Sequence, residues 1–141
     1  IVGLLAAFCV QWGTWPRWTL IWVLPLYVLI HIFGCGLMMI VARLTCEIPD
    51  IKAILNLINQ AWFFLSGVMY TADRFDHLPV AQELMTHNPG YIFLTAVRDT
   101  TIYGTSPSSG TWLSLFAWSI GTFVVGFVFF WAAEEKYVRL V

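Results

Sequence analysis

The chain has 141 residues, of which 60% are hydrophobic and 11% charged, with a formal net charge of −1 and eight tryptophans. So little charge, with no basic stripe to neutralise phosphates, excludes a nucleic-acid partner. Residues 18–42 and 111–133 contain no Asp, Glu, Lys or Arg. At about 1.5 Å per helical residue either stretch crosses a hydrocarbon core about 30 Å thick, and a chain this short has too small a core to hide both. The expectation is an all-α, polytopic membrane protein with membrane lipid around it.

In chain order, residues 1–15 read as a partial span. Ile1 is preceded by no Met and followed by no basic leader, so the sequence is expected to be the C-terminal part of a longer chain. Trp12, Trp15, Trp18 and Trp22 then gather around Pro16 and Arg17. Indole rings favour the headgroup level and proline breaks helices, so this is a turn at a membrane surface. The first full span is 18–42, with Pro25 a possible kink and Gly34 and Gly36 a smooth patch for a neighbouring helix. It ends at Arg43. The segment Leu44 to Lys52 carries both signs of charge and Pro49, which predicts a short surface loop with a helix beginning near Asp50. Residues 53–72 are again free of charge and give a second full span.

The character changes at 73–110, where Asp73, Arg74, Asp76, Glu83, Arg98 and Asp99 are interleaved with apolar residues. Pro79 can open one short helix. Asn88-Pro89 is an N-cap followed by proline at the first helical position, and Gly104 suits a helix end. Two short helices broken at His87–Gly90 follow, a re-entrant or interfacial hairpin. The third full span is 111–133 and a charged tail fills 134–141. Arg43, Lys52, Lys136 and Arg139 fall on one side and Arg17, Arg74 and Arg98 on the other, which favours the first side as cytoplasmic.

Chemistry is sparse. Asn56, Asn59, Gln60, Phe63, Ser66, Gly67 and Tyr70 share one face of the 53–72 helix, with Trp62 and Leu65 among the apolar residues opposite. In a bilayer such a stripe faces protein or water. It either bonds a neighbouring helix or lines the path of a polar solute, with aromatic rings offering flat faces to sugars. His31, His77 and His87 lack metal-ligand spacing, and no later span carries a histidine to activate Ser66, so catalysis and a bound metal are not expected. Cys9, Cys35 and Cys46 read as small buried apolar residues. Intramembrane carboxylates are missing, which removes the usual handles of an ion-coupled carrier. So is a phosphate-binding GxxxxGK[ST] loop, so this chain holds no cofactor and any ATP is used by a partner subunit.

The order of these pieces resembles one family. A short charged turn leads to a polar-striped span ending in Phe64-Leu65-Ser66-Gly67-Val68-Met69-Tyr70. A broken hairpin follows with His87-Asn88-Pro89-Gly90-Tyr91 and Ala96-Val97-Arg98-Asp99, then a last span and Glu134-Glu135-Lys136-Tyr137-Val138-Arg139. This looks like the C-terminal half of an ABC-2-type permease, the membrane subunit of exporters of lipid-linked polysaccharide such as O-antigen, teichoic acid or galactan. The resemblance implies a bacterial cytoplasmic membrane location, a second copy of the permease in a homodimer, and an ATP-binding subunit. It also implies a pathway lined by Asn56, Asn59, Gln60, Phe63, Ser66 and Tyr70, and an outer gate within 79–104 that includes Asn88, Pro89, Tyr91, Arg98 and Asp99. The ATPase-facing loop would hold Glu47, Asp50 and Lys52. There the sequence departs from the family's Arg-Asp, with Ile48-Pro49-Asp50 in its place. A permease for drugs or small lipids, or a membrane scaffold using the stripe for assembly, are the alternative readings.

Overall fold

In the computed structural model the described residues are 18–48, 50–67 and 79–132, and every regular element among them is helical. A 3₁₀ turn, Trp18–Trp22, leads into α1, Val23–Glu47. Then come α2, Ile51–Leu65, and two short helices, α3, Pro79–His87, and α4, Pro89–Arg98. A single π-helical turn, Asp99–Tyr103, and α5, Ser109–Trp131, complete the order.

Each boundary has a local cause. The 3₁₀ geometry gives way to α just before Pro25, because a proline ring and its missing N–H are tolerated only in a first turn. The α1 helix does not stop at Arg43. It continues to Glu47, stabilised by an i,i+4 pair in which Arg43 Nε donates to Glu47 Oε1 at 3.2 Å, and ends at an extended Ile48. The residue before a proline avoids helical geometry, and Pro49 follows. Ser108 caps α5, its Oγ accepting from Thr111 N at 3.2 Å. Gly104 closes the π turn at φ 67°, a left-handed conformation, with Thr105 N donating to Asp99 O at 2.9 Å.

Two described helices are long and apolar enough to cross a membrane, Trp18–Glu47 and Ser109–Trp131. The stretch expected as a further span at 53–72 behaves differently. Its helix α2 has 15 residues, about 22 Å, and stops at Leu65. Gly67 takes φ 66°, a left-handed position that ends the helix by donating to Phe64 O. The run of uncharged residues sets the length available, and Gly67 ends α2 within it. Residues 68–78, the tail and the partial span at 1–15 lie outside the described residues.

α1 and α5 run parallel. Trp22 meets Trp112 with ring centroids 5.6 Å apart, Gly36 meets Gly126, and the Arg43 guanidinium lies over the Phe129 ring, 3.9 Å from its centroid. Numbers rise together along both helices. Leu26, Leu29, Phe33 and Gly36 form the inward stripe of α1, and Leu115, Ser119 and Gly126 that of α5. Spacings of three and four residues keep each set on one side. At Gly36 the backbones touch: an added Cβ would overlap Thr122 and Phe123, and one on Gly126 would overlap the Gly36 carbonyl. Phe93 and Ala96 of α4 close the core against Leu26, Leu29, Phe33 and Leu115.

Gly126→Val in the assembled protein should cost about 1–3 kcal/mol, since a close-packed backbone contact cannot admit the added carbons. Gly34→Ala, with nothing within 4 Å of the added Cβ, should be neutral or stabilise by up to about 1 kcal/mol. Thermal unfolding in detergent compares them, the first lowering the midpoint and the second not.

Candidate functional site

The break between α3 and α4 is where polar chemistry enters the packed interior. Asn88 has extended geometry, φ −69° and ψ 123°, and caps α4, its Oδ1 accepting from Gly90 N at 2.9 Å. Pro89 occupies the first helical position, where its missing N–H costs nothing. The same Oδ1 accepts a second bond from Trp62 Nε1 of α2 at 2.8 Å. Both lone pairs of the amide oxygen are used. Asn88 is 7% exposed, so this pairing removes the cost of burying a polar group among apolar neighbours. Around it, Trp62 meets Phe33 edge-on at 6.1 Å and Phe33 meets Phe93 at 5.7 Å. Ser66 seats on Gly90, where an added Cβ would overlap its Oγ, and that hydroxyl donates to Trp62 O at 2.8 Å.

These contacts set the depth of the break. Phe33 is ten residues beyond Val23, about 15 Å along α1. Trp62, Phe93 and Asn88 gather at its level, and α4 climbs from there until Thr19 Oγ1 donates to Thr100 O at 3.2 Å beside the 3₁₀ turn. The non-helical junction therefore sits well below the 3₁₀ turn that carries Trp18.

The predicted residues divide into three groups. Asn56, Asn59, Gln60 and Phe63 are exposed on α2, and Phe63 is 48% exposed. Ser66 leaves that group and belongs to the α2–α4 contact. Tyr70 lies outside the described residues. In the second group Asn88 and Pro89 form the junction, while Tyr91, Arg98 and Asp99 are half-buried farther along α4 and its π turn. In the third, Glu47, Asp50 and Lys52 are exposed at the α1–α2 connection, with Glu47 held by Arg43 and Asp50 preceding the first residue of α2.

Two contributors were not singled out from sequence. In the sequence Trp62 reads only as one of the apolar residues, although a buried indole N–H needs an acceptor. Arg43 served only as an orientation marker. It also donates from Nη1 to Phe129 O, tying the ends of α1 and α5 together. His31, on the exposed side of α1, donates from Nδ1 to Tyr27 O at 2.7 Å with the two rings 4.0 Å apart. Cys35 and Cys46 are free thiols and exposed, contrary to their reading as small interior residues. Among the described residues no cluster of His, Cys, Asp and Glu has the makings of a metal site.

The family model for ABC-2 type transporters matches residues 1–102, a stretch that includes α1 to α4 and every contact at the Asn88 junction. The chain belongs to the ABC-2 type transporter family. No significant match appears among curated proteins or among solved structures. As an ABC-2 membrane domain the chain is part of a transport permease and a membrane protein, and its function implies association with an ABC ATP-binding subunit.

Asn88→Ala in this permease should cost about 1–3 kcal/mol, from a lost cap and an unpaired indole N–H. Asn88→Ser keeps a neutral acceptor for the Gly90 N–H and should recover part of it. Thermal midpoints of the two variants in detergent give the comparison; equal losses would mean that the acceptor oxygen is not what matters.

Proposed function

We propose that this permease exports lipid-linked polysaccharide of the O-antigen, teichoic-acid or galactan type across the bacterial cytoplasmic membrane, as a homodimer driven by its ATP-binding subunits. The observation that carries the reading is the exposed face of α2. Asn56, Asn59, Gln60 and Phe63 form an exposed strip of amides and an aromatic ring on a helix that carries no charge after Lys52. Amides exchange hydrogen bonds with sugar hydroxyls, and an aromatic ring stacks on a sugar's apolar face. A permease for drugs or small lipids would be better served by an apolar lining. Facing hydrocarbon, the strip would be costly, and a second copy placed against it encloses a polar path between two such faces.

The α3–α4 break supports a gate at the outer end of that path. A turn at the level of Phe33 is tolerated in a membrane only where protein satisfies its backbone, and the Asn88 side chain does so. In this reading α3 and α4 dip in from the Trp18 side as a re-entrant hairpin, with Tyr91, Arg98 and Asp99 above the break. Arg98 and Asp99 are neighbours in sequence and point about 100° apart on a helix, so they pair poorly with each other and draw on other groups. The opposite end, with Arg43, Glu47, Asp50 and Lys52, is then cytoplasmic and faces the ATP-binding subunit.

Asn59→Leu or Gln60→Leu should cut export at least about tenfold, the loss of one transition-state interaction of about 1.4 kcal/mol, while assembly with the ATP-binding subunit persists. Export is followed as surface glycan and assembly by co-purification. Variants that fail to assemble would assign the strip to subunit packing instead.

For the gate, Arg98→Ala should let a small polar dye escape from proteoliposomes holding the assembled transporter without nucleotide. Dye retention and export both equal to those of the unaltered protein would remove the gate assignment.

A further inference from the structure

We propose that the Trp62–Asn88 hydrogen bond and the Ser66–Gly90 contact together form a latch between α2 and the α3–α4 break, closed in the arrangement described and opened once in each ATP-driven cycle. The proposal rests on the reading of the chain as an exporter's permease, and it names the contact that must yield for the path to open.

The contrast between two kinds of helix pairing carries the inference. α1 and α5 interlock backbone to backbone at Gly36 and Gly126, and each buries several side chains. α2 has no buried residue between Ile51 and Leu65. What joins it to the start of α4 is compact, the indole bond to Asn88 and the hydroxymethyl group of Ser66 seated on Gly90, while on α1 the Trp62 ring meets Phe33. The seat is tight, since an added Cβ would displace the Ser66 hydroxyl, so a partly separated pair loses the contact and the arrangement favours two discrete states. An interhelical hydrogen bond in a membrane shifts such an equilibrium by about threefold to thirtyfold. That is enough to hold a closed state and small enough for nucleotide binding to override.

The latch can also open without leaving its parts unsatisfied. Asn88 Oδ1 keeps Gly90 N as a donor when Trp62 departs, so the cap of α4 survives and α3–α4 moves as a folded unit. Ser66 likewise keeps its bond to Trp62 O within α2. Only the indole N–H changes partner. A tryptophan at this position therefore reports and sets the closed state, where a phenylalanine would supply the ring without the bond.

The test uses the permease assembled with its ATP-binding subunit in proteoliposomes, with Cys9, Cys35 and Cys46 replaced by Ala. A Cβ on Gly90 lies 3.1 Å from Ser66 Cβ, a few tenths of an ångström inside the about 3.5–4.5 Å of a disulfide, so Ser66→Cys with Gly90→Cys bridges after slight relaxation. Copper phenanthroline should cross-link the nucleotide-free protein, and at least about threefold more slowly once ATP and vanadate trap the transporter. Equal rates in both states would overturn the latch. A second measurement does not disturb the glycine seat. Met85 is 2% exposed beside the break, and Met85→Cys should react with a membrane-impermeant maleimide about threefold to thirtyfold faster when Trp62→Phe is added. An unchanged labelling rate would overturn the proposal even if the double-cysteine protein failed to assemble. Neither readout depends on the cargo, so a failed latch leaves the exporter reading to be judged by the Asn59 and Gln60 variants.

Discussion

A break between two helices that is buried in the fold has no water to bond its open backbone groups, so it has to be repaired from within the protein. The interruption at Asn88 is repaired by one side chain. Its amide oxygen takes the orphan N–H of Gly90 and the indole N–H of Trp62, which allows a non-helical residue to sit at the level of Phe33. Remove that oxygen and the start of α4, the position of Trp62 and the seat of Ser66 on Gly90 all lose their support. The rest of the irregular region follows from this point, since α4 must climb from Asn88 to the π turn and Thr19.

The regular part obeys a different constraint. Lipid tails are as apolar as leucine, so helices in a bilayer gain little from hydrophobic burial against each other and associate through close packing and polar bonds. α1 and α5 use both. Gly36 and Gly126 bring the backbones into contact, and at the far end Arg43 stacks on Phe129 and donates to its carbonyl. A cation over an aromatic face with its bonds satisfied is a stable way to place a charge near a membrane boundary. The parallel pair forms a frame, and α2 leans on it with its polar face left outward.

That division matches the work of an ABC-2 permease, which needs a part that holds its shape and a part that moves. The interlocked pair resists shear because a glycine contact has no slack. The α2–α4 contact is smaller, and it involves groups that retain a partner when it separates. The polar face of α2 and Trp62, which supports the junction, are on one helix, so any motion of that helix moves both together.

Much of this architecture was legible in the residues because the causes are local. The long apolar helices 18–47 and 109–131 follow from stretches without charge, and the cap at Asn88-Pro89 and the stop at Gly104 are interactions between residues close in sequence. The end of α2 was equally local, written in Gly67, but the uncharged run to 72 outweighed it in a reading based on length. Other features could not be read this way. In a soluble protein hydropathy separates the buried face from the wet one, whereas a membrane helix is apolar toward both lipid and protein. Nothing in the order of residues therefore says that α1 and α5 run side by side and parallel, that Arg43 reaches Phe129, or that α2 packs through Trp62 and leaves Asn56, Asn59 and Gln60 outward. By itself the sequence determined the lengths, breaks and caps of the helices, because those depend on near neighbours. Only the tertiary structure decided which faces meet, because that depends on backbone approach and on single donors finding single acceptors across the fold.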